Sequence, residues 1–179
     1  AQIKKDIREG VKTLFCGTPC QVNALKNYVG QKTDNLITVD FVCHGVPNKK
    51  VLGDRIKTIE QEHGKKVIDI RFRDKQPDQH NTYMKYTFED NTSISNSFSS
   101  DPYSRSFVLN YSLRDNCFNC RYSRAERCSD MTIADFWGYA PQKLKFHSYR
   151  KGTSLMIVNS EKGSRFFNEI KRFCTYDDS

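Results

Sequence analysis

From Thr13 to Phe72 short apolar runs alternate with segments of helical spacing, and that alternation leaves few folds open. Thr13-Leu14-Phe15-Cys16 is apolar and stops at Gly17. Thr18 then stands as a helix N-cap with Pro19 at the first helical position, and Val22, Leu25 and Val29 form one face up to Gly30. Leu36 to Val42 is a second strand with β-branched residues, ended by Cys43-His44-Gly45-Val46-Pro47. Val51, Leu52, Ile56 and Ile59 recur at helical spacing before a stop at Gly64, and Val67 to Phe72 makes a third strand. Strand, helix, strand, helix, strand predicts a parallel sheet with right-handed crossovers.

After Phe72 the pattern changes. Thr82 to Phe88 and Ser93 to Phe98 alternate about Glu89-Asp90-Asn91, which predicts a polar hairpin. Asp101 caps an expected helix through Phe107, Leu109 and Leu113 that delivers the chain to Cys117. Met131 to Ala134 reads as a strand closed by the turn Asp135-Phe136-Trp137-Gly138, where Asp135 and Trp137 are expected to pack. Ser154 to Val158 is a last strand, and Glu161 to Phe173 a last helix with Phe166, Phe167, Ile170 and Phe173 on one face. The expected class is α/β: a mixed, largely parallel sheet flanked by helices, with an inserted polar hairpin and a Cys-rich loop. At 179 residues this suits one domain that needs no staples to bury a core. The opening Ala1 to Gly10 reads as the end of a helix with a glycine cap, so the chain is expected to be a piece of a longer protein.

Six of the seven cysteines fall in two places. Cys16 and Cys20 flank the turn after the first strand and Cys43 follows the second; Cys117, Cys120 and Cys128 lie in C-F-N-C-R-Y-S-R-A-E-R-C. The carboxyl ends of parallel strands form the binding edge of an α/β sheet, which places Cys16, Cys20 and Cys43 together. Cys20, in a first helical turn, has the dipole and N–H groups that favour a thiolate. Cys117 and Cys120 have C-x-x-C spacing, which zinc, a redox disulfide and an iron–sulfur cluster all use. With Cys20 and Cys43 the count reaches four. The lack of a second C-x-x-C or a C-x-x-H nearby favours iron–sulfur over zinc. Cys174 reads as a small apolar residue, and Cys128 as a spare or an additional ligand. The turn Gly17-Thr18 with Pro19-Cys20-Gln21 offers donors to a ring or phosphate, and Arg71, Arg73 and Lys75 are expected to end a strand on the same edge. His44, beside Cys43, is a candidate proton donor.

The motifs C-G-T-P-C-Q-V-N-A-L-K (Cys16 to Lys26), V-D-F-V-C-H-G-V-P (Val39 to Pro47), F-R-D-K (Phe72 to Lys75), L-R-D-N-C-F-N-C (Leu113 to Cys120) and S-D-M-T-I-A-D-F-W-G (Ser129 to Gly138) run in order along nearly the whole chain. In them the chain resembles the C-terminal domain of the coenzyme F420 hydrogenase/dehydrogenase beta subunits. The resemblance implies an iron–sulfur flavoprotein oxidoreductase that passes electrons between a cluster, a flavin (FAD) and a second redox partner, which is the deazaflavin coenzyme F420 in methanogens. It implies that Cys20, Cys43, Cys117 and Cys120 bind one [4Fe–4S] cluster. Cys16 and Cys128, further candidate ligands of the same site, look like features of bacterial versions of the family. Related chains lie in bacterial polysaccharide-synthesis loci, often with an N-terminal ferredoxin-type domain. Such a domain or protein, and enzymes of polysaccharide biosynthesis, are therefore the expected partners.

An alternative is a structural zinc or thiol scaffold that supports a partner enzyme in glycan assembly. Nucleic-acid binding ranks last: the net charge is +8, but basic residues are mixed with acids, as from Arg121 to Arg127 around Glu126, and no RNP or zinc-finger pattern accompanies them. Apolar runs such as Leu155 to Val158 fall far short of the roughly 20 residues a membrane span needs. With no signal-peptide pattern at its start, the chain is expected to be cytoplasmic.

Overall fold

The computed structural model describes residues 2–30, 33–75, 82–139 and 153–177. The backbone divides into two compact units: one formed by Ala1–His44 with Arg121–Ser179, the other by Gly45–Cys120. The class is the expected α/β, with the strands shared between two sheets.

The discontinuous unit contains α1 (Gln2–Arg8), β1 (Thr13–Gly17), α2 (Pro19–Val29), β2 (Leu36–Phe41), β6 (Met131–Asp135), β7 (Ser154–Val158), α6 (Glu161–Ile170) and a 3-10 turn, Lys171–Phe173. Its four-stranded sheet has the order β1-β2-β6-β7. β1 and β2 are parallel with Gly17 opposite Asp40, β2 and β6 are parallel with Val39 opposite Met131, and β7 returns antiparallel to β6. Thr18 caps α2 as its sequence predicts, in a full capping box with Gln21, and Gly30 ends it. Val22, Leu36, Val39 and Met131 are buried. α6 approaches so closely that a Cβ on Gly163 would stand 2.1 Å from the carbonyl oxygen of Asp130.

Asp130 ties this unit together from the sheet's amino end. Its Oδ2 accepts from the Thr38 N–H at 2.9 Å and the Thr38 hydroxyl at 2.7 Å, and its Oδ1 accepts from Ser160 at 2.8 Å. Lys162 lies 3.5 Å from Oδ2. Burial pushes this carboxyl's pKa up, but the two bonds from Thr38, the Ser160 hydroxyl and the Lys162 charge outweigh it, and the net pKa lies below the ordinary value.

The continuous unit contains α3 (Lys49–His63), β3 (Val67–Lys75), β4 (Thr82–Phe88), β5 (Ser93–Ser97), α4 (Pro102–Val108) and α5 (Asp115–Phe118). α3 runs from the Asn48 cap to Gly64 in the left-handed conformation. The hairpin β4–β5 forms where alternation predicts it. β3, however, does not continue the parallel sheet: it pairs antiparallel with β4, giving a separate sheet of order β3-β4-β5. Ile59, Met84, Tyr86, Phe88 and Tyr103 form its core. The helix capped by Asp101 is also shorter than its apolar spacing suggests. It ends at Val108, and Asn110 turns the chain at φ 65° before α5.

Asp101 is fully enclosed, and its Oδ2 accepts from Arg55 at 3.0 Å, Tyr86 at 3.1 Å and Asn96 at 3.3 Å. Burial, then the Asp101 charge, raises the Tyr86 hydroxyl pKa, so it stays a hydrogen-bond donor. Among the described residues no helix is long and apolar enough to cross a membrane.

Candidate functional site

The parallel register sets the first cysteines. Gly17, the last residue of β1, pairs with Asp40, the penultimate residue of β2, and a cysteine follows three residues beyond each: Cys20 and Cys43. Cys20 lies exposed in the first turn of α2, where its Sγ is 3.0 Å from the Thr18 hydroxyl. Cys16 precedes Gly17 on β1 and is exposed. The capping box engages donors that the sequence offers to a ligand: the Thr18 N–H donates to Gln21 Oε1 at 2.9 Å, and the Gln21 N–H to Thr18 Oγ1 at 3.4 Å. Gly17 keeps the turn narrow, since a Cβ there would lie 3.0 Å from the Phe15 ring.

Cys128 belongs to the same unit. Its thiol donates to the Pro19 carbonyl at 3.4 Å, its own carbonyl accepts from Lys26 Nζ, and Asn23 bonds Tyr122 at 2.8 Å, so the loop is fastened along α2. Burial and the nearby Asp40 charge push the Cys128 thiol pKa up against the opposing Lys26 charge. The protonated, donating form is therefore favoured, unlike the thiolate that a metal needs.

Asp40, opposite Gly17, is a buried acid that motif spacing does not reveal. It is completely buried. Its Oδ1 accepts from Thr132 Oγ1 at 2.5 Å, and Asn159 Nδ2 donates to Thr132 Oγ1 at 2.9 Å and Ser129 Oγ at 3.1 Å. Its Oδ2 has no hydrogen-bond partner among the described residues. The visible signal is an acid inside the otherwise apolar Val39-Asp40-Phe41-Val42.

In the continuous unit, Cys117 lies in α5 and Cys120 follows it, both partly buried. The segment before Cys117 is zipped to the segment after Cys43. The Asn48 N–H donates to the Ser112 carbonyl at 2.6 Å, the Arg114 N–H donates to the Val46 carbonyl at 2.9 Å, and Pro47 bridges Leu113. Gly45, at φ 140°, has no room for a side chain: a Cβ there would stand 2.8 Å from Leu113 Cδ2 and 3.5 Å from Cys117 Cβ.

No disulfide joins any of the seven cysteines. Among the described residues no three His, Cys, Asp or Glu side chains stand as a metal-binding group. His44 is exposed. Arg73 and Lys75 lie exposed on β3. This corrects the expectation that Arg71, Arg73 and Lys75 end a strand of the cysteine-bearing sheet, because β3 belongs to the other sheet; Arg71 there faces Asp69 and Asp74. Trp137, expected to pack, is 81% exposed.

A family model that describes the C terminus of the beta subunit in coenzyme F420 hydrogenase/dehydrogenase matches residues 10–175. No curated protein matches the sequence. Among solved structures, a chain of the F420-reducing [NiFe] hydrogenase complex from Methanosarcina barkeri is similar at 13% identity and a TM-score of 0.49. That similarity covers 95% of this chain, which spans 52% of the other.

Proposed function

We propose that this chain, which belongs to the family of C-terminal domains of coenzyme F420 hydrogenase/dehydrogenase beta subunits, is an electron-passing oxidoreductase domain in which Cys20, Cys43, Cys117 and Cys120 hold one [4Fe–4S] cluster. The observation that carries the reading is Gly45. Two residues beyond Cys43, its backbone lies against Leu113 and Cys117 with no space for a Cβ. The register of β1 and β2 supports the other half, since Cys20 and Cys43 follow the paired Gly17 and Asp40 at equal distance along the chain. Thiolates are the donor set that iron–sulfur clusters take, and no ligand here is committed to a disulfide.

When bound, the cluster supplies one-electron chemistry. The chain's own residues hold and surround it. Cys128, whose thiol donates to Pro19, and the exposed Cys16 are the remaining candidate ligands. We assign flavin contact, with FAD as the cofactor, to the Gly17-Thr18 turn and Gln21, and proton delivery to His44. A ferredoxin-type domain or protein is one redox partner, coenzyme F420 is a candidate second, and enzymes of polysaccharide biosynthesis are further candidate partners.

Anaerobic reconstitution with iron and sulfide tests this reading. A brown protein with about four irons per chain is expected, and Cys20→Ala or Cys117→Ala should lose the colour while Cys174→Ser keeps it. Stoichiometric zinc with no iron-dependent colour would overturn it in favour of a scaffold.

A further inference from the structure

The chain's single tryptophan is Trp137, and 81% of it faces solvent. A lone exposed indole on a loose loop would mean little. This one sits on a fastened turn. The Phe136 N–H donates to the Thr153 carbonyl at 2.9 Å, and the Phe136 and Tyr139 rings stack with centroids 4.9 Å apart. The Tyr139 hydroxyl donates to Asp177 at 2.7 Å. Gly138 takes φ 76°, the left-handed conformation that lets the chain reverse directly after the indole.

The place of this turn matters as much as its exposure. Trp137 follows the carboxyl end of β6, which runs parallel to β2, and β2 parallel to β1. The indole therefore emerges at the edge of the sheet where Gly17, Thr18 and Cys43 emerge, within one compact unit. Phe41, Val42 and Phe136 at these strand ends are also exposed, at 38%, 54% and 40%. Val42 is held in place there by its N–H, which donates to the Ile133 carbonyl at 3.1 Å. Packing does not account for so much apolar surface at the one edge where parallel sheets bind ligands.

We propose that Trp137 is a stacking platform for the planar heteroaromatic ring of a small-molecule redox cofactor. A flat, π-rich ring is the ligand that an exposed indole at a ligand-binding edge selects, because stacking needs area and no hydrogen-bond match. The proposal rests on the flavin reading above and extends it: Trp137 supplies the ring contact, and the turn after β1 supplies the polar contact.

Riboflavin, which carries the ring without a phosphate, is the probe. Its fluorescence anisotropy is titrated against the full chain and against Trp137→Phe and Trp137→Leu, with circular dichroism to check that each variant folds. Trp137→Leu should bind about tenfold more weakly, and Trp137→Phe should stay near the parent. Equal affinity in all three proteins would overturn the platform and leave the flavin reading standing. No anisotropy change with the parent protein at saturating concentrations would overturn both.

Discussion

At the scale of single residues, the two buried aspartates of the discontinuous unit differ in how their oxygens are bonded. Asp130 has a partner for each oxygen, and its pKa is depressed below the ordinary 3.8. A depressed carboxyl contributes stability that is present above the unfolded value and is lost as pH falls through the folded one. Acid unfolding should therefore steepen below about pH 4, where the unfolded chain takes up this proton first. Asp130→Asn should cost about 1–3 kcal/mol at neutral pH and flatten the curve in that acid range. Denaturant titrations between pH 7 and pH 2 check this, and an unchanged slope in the variant would contradict it. Asp40 has one oxygen bonded and one without a partner among the described residues. A buried acid with an unmet acceptor is a costly feature that invites a functional explanation.

At the scale of elements, capping and packing chemistry is the readable part. Thr18-Pro19 and Gly64 terminate helices where their side chains or backbone freedom demand it, because those effects are local. Sheet membership is not readable in β3. Val67 to Phe72 has the composition of a strand in either sheet, and only its distant partner β4, with register shifts at Val67/Asp69 and Arg71/Asp74, decides. The end of α4 escapes the pattern because apolar spacing continues to Leu113 while Asn110 takes the left-handed turn. Among candidate site residues, the position of Cys20 and Cys43 just beyond the ends of neighbouring parallel strands is readable from the strand pattern. The enclosure of Asp40 and the exposure of Trp137 depend on neighbours far along the chain. Gly163 yields a sharp test of element packing. In Gly163→Ala the new methyl meets backbone, which cannot rotate aside, so α6 must shift off β6. A loss of about 1–3 kcal/mol is expected from thermal unfolding, although alanine is the better helix former. A neutral or stabilising result would show that α6 does not sit where described.

At the scale of the whole molecule, the chain leaves its first unit after His44 and returns to it at Arg121. Each unit has buried residues of its own, and the continuous one is knotted by Asp101 with Arg55, whose side chain is 11% exposed. Asp101→Ala leaves the guanidinium uncompensated and should cost about 3–5 kcal/mol. Hydrogen exchange should then quicken in β3, β4 and β5 and stay slow in β1, β2 and β6. Equal quickening in both sheets would mean that the chain opens as one cooperative body.

The pairing of β2 with β6 also has a consequence for birth on the ribosome. Val39 cannot meet Met131 until the intervening chain has been translated. At roughly 5–20 residues per second that is a delay of about 5–20 s. Throughout it, the unclaimed side of the nascent β2 offers its amides and carbonyls to any passing strand, so the newborn chain should depend on chaperones most just before Met131 emerges from the exit tunnel.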